Sequence, residues 1–204
     1  MRTVLVLVRH ELRLLASIGL WVARRTNGLG TGTGTGTGFG YARGQGSMLL
    51  GFGFVIVIES IMMSVLLRNH PAVQRAWFTV DVYTLVLVVG MHAASVVRPH
   101  VLDDRVLRVR RAAHVDLRIP LEKIARARRE LRTTHERAEG ELNLAIGSQT
   151  TVTLELTEPV AHFTFLGRRQ DIRLVRCHAD DADSLVKAIA RARSVPSPIP
   201  DPTG

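Results

Sequence analysis

Cysteine occurs once in these 204 residues, as Cys177. A lone thiol excludes an intramolecular disulfide and any zinc or iron–sulfur centre built from cysteines. Cys177 itself reads as a small core or half-buried strand residue. Lysine is almost as scarce: of 27 basic residues only Lys123 and Lys187 are lysines. That arginine bias, with abundant Ala, Val and Leu, fits a GC-rich bacterial genome. Aromatics are few, and stacking platforms and recognition motifs are missing, so nucleic acid is not an expected partner. His100, His114, His135, His162 and His178 show no HExxH-type ligand spacing, and no GxSxG, paired-carboxylate or nucleophile–base pattern occurs. No metal site, cofactor or catalytic residue is therefore expected, and the chain does not read as an enzyme. The start of the sequence does not read as a secretory signal either. The run Thr3–Val8 is too short, and Arg9, His10, Glu11 and Arg13 interrupt it where a continuous apolar region is required.

What the chain does have is two uninterrupted apolar runs, 48–67 and 78–97. Each matches the ~20 residues that a helix needs to cross a ~30 Å hydrocarbon core. The first contributes roughly −4 to −7 kcal/mol to insertion against about +3 for Glu59. The second holds Asp81 and His92 and is more marginal alone. The short connector 68–77 favours an antiparallel hairpin, so an integral membrane protein with two transmembrane helices is expected.

The formal charge of +9 is unevenly divided. Residues 1–47 carry six arginines and one acid, 48–97 carry two charges of each sign, and 98–204 carry a net +4. Arginines flank the hairpin on the side of both termini: six in 1–47, and Arg98, Arg105, Arg108, Arg110 and Arg111 after it. Only Arg68 and Arg75 lie in the connector. The positive-inside bias then makes both termini cytoplasmic and the connector external, in a multi-pass cell (plasma) membrane protein.

Segment 1–25 patterns as an amphipathic helix. Arg2, Arg9, Arg13, Ser17 and Arg24 form a stripe opposite Leu5, Leu12, Leu15, Ile18 and Val22, which suits a helix lying in the cytoplasmic interface; packing on the soluble part is the other reading. Residues 26–47 are a Gly/Thr alternation with no preceding strand and no lysine nearby. A flexible linker is expected there rather than a phosphate loop.

From 98 to 193 the pattern changes to short period-two alternations, at 106–110, 115–119, 142–146, 152–156 and 172–174. Pro120, Gly140, Gly147-Ser148, Glu158-Pro159 and Gly167 separate them. An acidic start at Asp180-Asp181 precedes an amphipathic helix carrying Leu185, Val186, Ile189 and Ala192. Residues 194–204 form a proline-rich tail that reads as disordered. The fold class expected is a helical hairpin plus a small antiparallel β domain with a C-terminal helix. One stretch is ambiguous, because Pro120 to Arg132 is helical by local rules.

The run DDRVLRVRRAAHVDLRIPLEKIARARRELR, with TVTLELTEPV, LGRRQDIRLVR and DADSLVKAIARA, resembles bacterial PH-like domains over residues 98–193. The whole chain resembles a group of uncharacterised actinobacterial integral membrane proteins. The resemblance implies a seven-stranded sheet covered at one end by the last helix. It also implies that the strand ending in Ile119-Pro120 passes through one turn into another strand at 124–132.

Candidate functional residues fall into two sets. Glu59, Asp81 and His92 are intramembrane polar residues, a class that marks proton or ion paths. With matched hairpin ends, Glu59 faces position 86 and His92 faces Gly53, which separates Glu59 from both partners by roughly 9 Å in depth. Glu59 is accordingly read as a packing or assembly residue, making the hairpin a possible homo-oligomer element. Arg105, Arg108, Arg110, Arg111 and Arg118 stand close behind the second helix. They are candidates for contact with lipid phosphates or a partner, or else a solvated strand face. The expected function is a non-enzymatic membrane protein presenting a PH-like module to a membrane or cytosolic protein or to membrane lipid. The alternative is an oligomeric small channel or transporter subunit using Glu59.

Overall fold

The computed structural model describes residues 2–23, 36–112, 115–134, 136, 138–164 and 167–194, with side chains from Glu11 onward. Residues 26–35 of the expected linker and 195–204 of the expected tail lie outside the described residues.

The two apolar runs form α2 (Gln45–Leu66) and α3 (Pro71–Val97), and both are long and apolar enough to cross a membrane. Pro71 occupies the first turn of α3, where its missing N–H costs nothing and its fixed φ suits the helix. The helix therefore starts well before the apolar run does, and the connector shrinks to Leu67–His70. Ser60 meets Asp81, and Gln74 meets Ser64. Glu59 is thus level with about Val82 rather than position 86, which corrects the depth expected from matched ends.

The first helix, α1 (Arg2–Val22), lies along α3 and runs in the same direction. Glu11 pairs with Tyr83, Leu14 packs at Gly90, and Trp21 stands edge-on to His92. An in-plane interfacial helix would instead sit across the end of the hairpin. The face that α1 presents to α3 is also not the expected one. Leu14 and Ser17 are buried, whereas Leu12, Leu15 and Val22 point away from the protein. Small residues Gly90 and Ala94, four apart on α3, allow this close approach.

Beyond α3, two sheets enclose one core. The first has the order β1 (Thr37–Phe39), β2 (His100–Leu102), β3 (Val106–Arg111), β4 (Val115–Pro120). The second contains β5 (Ile124–Arg132), β6 (Glu141–Leu144), β7 (Thr150–Phe163) and β8 (Arg169–Cys177), in the order β5-β7-β8-β6. α4 (Ala182–Ser194) packs on them through Leu185 and Ile189, which join Leu107, Ile119, Ile124, Leu154 and Val175 in the core. Asp181 caps α4 by accepting from the Ser184 N–H at 2.9 Å, satisfying one of the helix's orphan donors.

Two details depart from the sequence reading, and the ambiguous stretch resolves as the resemblance implies. The ambiguous stretch is a strand: one 3-10 turn, Leu121–Lys123, leads into β5. Pairing with β7 and burial of Ile124 override the local helical signal. The break expected at Glu158-Pro159 is a register shift inside a single strand β7, a position where a residue lacking an N–H is tolerated. Finally, the domain is not wholly antiparallel, because β6 pairs with β8 in parallel. Gly147 and Ser148, both at positive φ, turn the chain tightly between Ile146 and Gln149. β7 nonetheless pairs with β5 and β8, leaving β6 on the far edge.

Candidate functional site

Strand parity sorts the arginines that the sequence groups together. In β3, Leu107 and Val109 enter the core, so Arg108 and Arg110 share the opposite face. β4 aligns Asp116 with Arg110 and Arg118 with Arg108. Asp116 serves both neighbours: its carboxylate lies 2.5 Å from Arg108 Nη2 and 3.7 Å from Arg110 Nε. Arg118 is exposed, and Arg105 sits in the β2–β3 turn, where its carbonyl accepts from the Leu121 N–H. Arg111, at the end of β3, belongs to the other face and lines a cleft between α2, α3 and the β6–β7 turn. The five arginines are therefore not one patch. Three share a strand face, two of them with a common counter-ion, while one lies in a turn and one enters a cleft.

Arg110 is 6% exposed. Burial and the neighbouring Arg108 lower its pKa, while Asp116 opposes them. Its backbone N–H donates to His100 Nδ1 at 3.0 Å, and His100 Nε2 donates to the His178 carbonyl at 2.9 Å. With one ring nitrogen accepting and the other donating, His100 is neutral. Burial pushes its pKa down to about 4. Tyr41 stacks on the same ring at 4.7 Å, and its hydroxyl accepts from the Ala112 N–H at 2.8 Å. Burial raises the Tyr41 pKa, so the phenol also stays uncharged.

Tyr41 and His100 are residues that the sequence reading passed over. Tyr41 was assigned to the linker, yet residues 36–44 are a strap stitched onto the domain. β1 pairs with β2, the Asp180 N–H donates to the Gly40 carbonyl at 2.9 Å, and the Arg43 N–H donates to Asp180 Oδ1 at 3.1 Å. A Cβ on Gly40 would lie 2.9 Å from Asp180 Oδ2, so only glycine passes there unhindered. The signal was the aromatic pair Phe39 and Tyr41, which interrupts the Gly/Thr alternation.

The polar residues of the two long apolar helices also separate. Asp81 is nearly buried and accepts from Ser60 Oγ, and Gln74 Nε2 donates to Ser64 Oγ at 3.0 Å. These contacts form two polar rungs between α2 and α3. Glu59 is close in depth but faces outward, so orientation rather than depth keeps it from Asp81. His92 is half-buried beside Trp21, and its Nδ1 has no hydrogen-bond partner among the described residues. The structure thus joins Asp81 to α2 and leaves Glu59 and His92 apart from it. Among the described residues, no three His, Cys, Asp or Glu side chains converge as a metal site would require.

Comparison of the chain with protein-family models, with curated proteins and with solved structures gives no match in any of the three.

Proposed function

We propose that this chain is a non-enzymatic integral membrane protein whose hairpin holds a cytosolic β module against the inner leaflet, where the module engages a partner protein or lipid. The observation that carries this reading is the seam between hairpin and domain. Only Arg98 and Pro99 separate α3 from β2. The strap with Tyr41 ties the start of α2 to the same sheet. A domain held at both helix ends keeps one orientation to the bilayer, which suits an interaction surface and not a freely tethered catalyst. The single turn between Pro120 and Ile124 and the helix closing the sheets support a PH-like module.

In this reading the domain and the C-terminus are cytoplasmic. The direction of α1 along α3 carries its own N-terminus toward the connector end, in place of the cytoplasmic N-terminus expected from charge. The arginine balance still favours an internal domain: Arg24, Arg25, Arg43 and five in 98–111 oppose Arg2, Arg68 and Arg75. Arg9 and Arg13 at about 2.5–3.5 kcal/mol each make α1 a poor independent span; packing on Gly90 and Ala94 holds it in place.

A photoreactive residue at Arg118, on the outer face of β4, tests the function in native membranes. A discrete protein or lipid adduct at Arg118, absent when the residue is placed at lipid-facing Phe54, is the expected result. Identical adducts from both positions would contradict an interaction module.

A further inference from the structure

We propose that the cleft where α2 and α3 meet the β domain holds one anionic phospholipid, its phosphate on Arg111 and an acyl chain between the helices. This rests on reading α2 and α3 as membrane-spanning.

The cleft encloses about 390 Å³, within the range of sites that take small organic ligands. Its walls differ by height. Met48 and Phe52 on α2 with Val88 and Met91 on α3 form an apolar slot at the level of the helices. Arg111 and the Ala145–Gly147 turn close it at the level of the domain. An apolar slot ending in a cation at the water-facing ends of two spanning helices matches the two-part chemistry of a phospholipid. A free phosphate would leave the slot empty, and a hydrocarbon would leave the cation unpaired.

Two polar side-chain groups at this end lack partners among the described residues. Among the described residues, the Arg111 side chain makes no hydrogen bond or ion pair, and no carboxylate lines the cleft. By contrast, Arg108 and Arg110 share Asp116. His92 Nδ1 is buried and unpartnered. Leaving a half-buried guanidinium without a counter-charge is costly, whereas a phosphate accepts from it in a bidentate, charge-assisted pair. Burial lowers the Arg111 pKa, but an arginine remains charged throughout the physiological range. The site therefore selects by headgroup charge and retains by its apolar slot.

Native mass spectrometry of the full chain released from detergent, with phosphatidylglycerol or phosphatidylcholine added, tests this. One retained phosphatidylglycerol per chain is expected, with much less phosphatidylcholine. Losing a charge-assisted contact should weaken retention by about tenfold or more in Arg111→Gln, while a change at the exposed Arg126 of β5, Arg126→Gln, retains it. Val88→Trp, which keeps the cation and fills the slot, should also lose the lipid, and it decides the matter if Arg111→Gln fails to fold. Unchanged retention in folded Arg111→Gln or in Val88→Trp would overturn the proposal. So would equal retention of the two lipids, equal binding of glycerol phosphate, or a second copy of the chain in place of the lipid. A wrong assignment of the spans fails separately, in impermeant thiol labelling of Asn69→Cys and Arg118→Cys in intact cells.

Discussion

Gly90 on α3 sets how closely α1 approaches: a Cβ at this position would stand 3.1 Å from Leu14 Cβ. Ile18 Cδ1 and the Leu14 carbonyl oxygen would each lie 3.6 Å from it. Overpacking a tight helix contact costs about 1–3 kcal/mol. Gly90→Leu should therefore release α1 while leaving the hairpin and the β domain intact. Crosslinking between cysteines placed at Glu11 and Tyr83 measures the contact. Efficient crosslinking in the parent and its loss in Gly90→Leu is expected; equal yields would show that Gly90 does not govern the approach.

The buried His100 makes the domain sensitive to acid. Its pKa falls from 6.5 in the unfolded chain to about 4 in the folded one. The folded state thus favours the neutral ring, and protons bind preferentially to the unfolded chain. The stability this contributes is fully present above pH 6.5 and is lost as pH drops from 6.5 toward 4. The loss amounts to about 3 kcal/mol at full protonation. Denaturant midpoints of the full chain in detergent, followed by circular dichroism between pH 7.5 and 4, should fall over that window. They should fall less in His100→Gln, which keeps a donor and an acceptor without titrating.

Asp116 neutralises two arginines of unequal exposure. Arg108 can turn to water when the acid is removed, but Arg110 is buried and cannot. Asp116 is itself about half exposed, so solvent screening keeps the effect modest. Asp116→Asn should cost about 1 kcal/mol. In Asp116→Asn/Arg110→Met most of that loss should return. Thermal melts of the two variants measure this, and a double variant no more stable than the single would refute the pairing.

The hairpin's two carboxylates should respond oppositely. Asp81→Leu removes the acceptor of the Ser60 hydroxyl and should destabilise the α2–α3 contact by about 1 kcal/mol. Glu59→Leu touches nothing in this contact, because Glu59 faces outward. It should leave a single chain as stable or more so, and it should weaken any oligomer held through that face. Detergent melts and blue-native electrophoresis separate the two effects. Flux through proteoliposomes that depends on Glu59 would instead favour the channel reading.

The hairpin was legible because composition alone decides it, since twenty apolar residues have few other uses. The C-terminal helix was legible from its cap and its apolar face. For β5 local rules point to a helix and only the family resemblance to a strand, because the pairing that determines it comes from β7, some 25 residues on, and no local pattern carries that information. The strap failed for a related reason. A Gly/Thr repeat has no periodicity, and its value lies in allowing backbone to approach Asp180 closely. The arginines are neighbours in sequence, but their division depends on strand parity and on the cleft made by distant helices. The depth of Glu59 was misjudged through a single residue, Pro71, which starts α3 early.

Impermeant thiol labelling of single cysteines in intact cells bears most directly on the central claim, a membrane hairpin with its β domain inside. The native Cys177 is fully buried, and burial pushes its pKa up to about 12, so it contributes little background. Asn69→Cys in the connector, and Thr3→Cys at the start of α1, are predicted to label in intact cells. Arg118→Cys is predicted to label only after permeabilisation. Labelling of Arg118→Cys in intact cells, or protection of Asn69→Cys, would contradict the account.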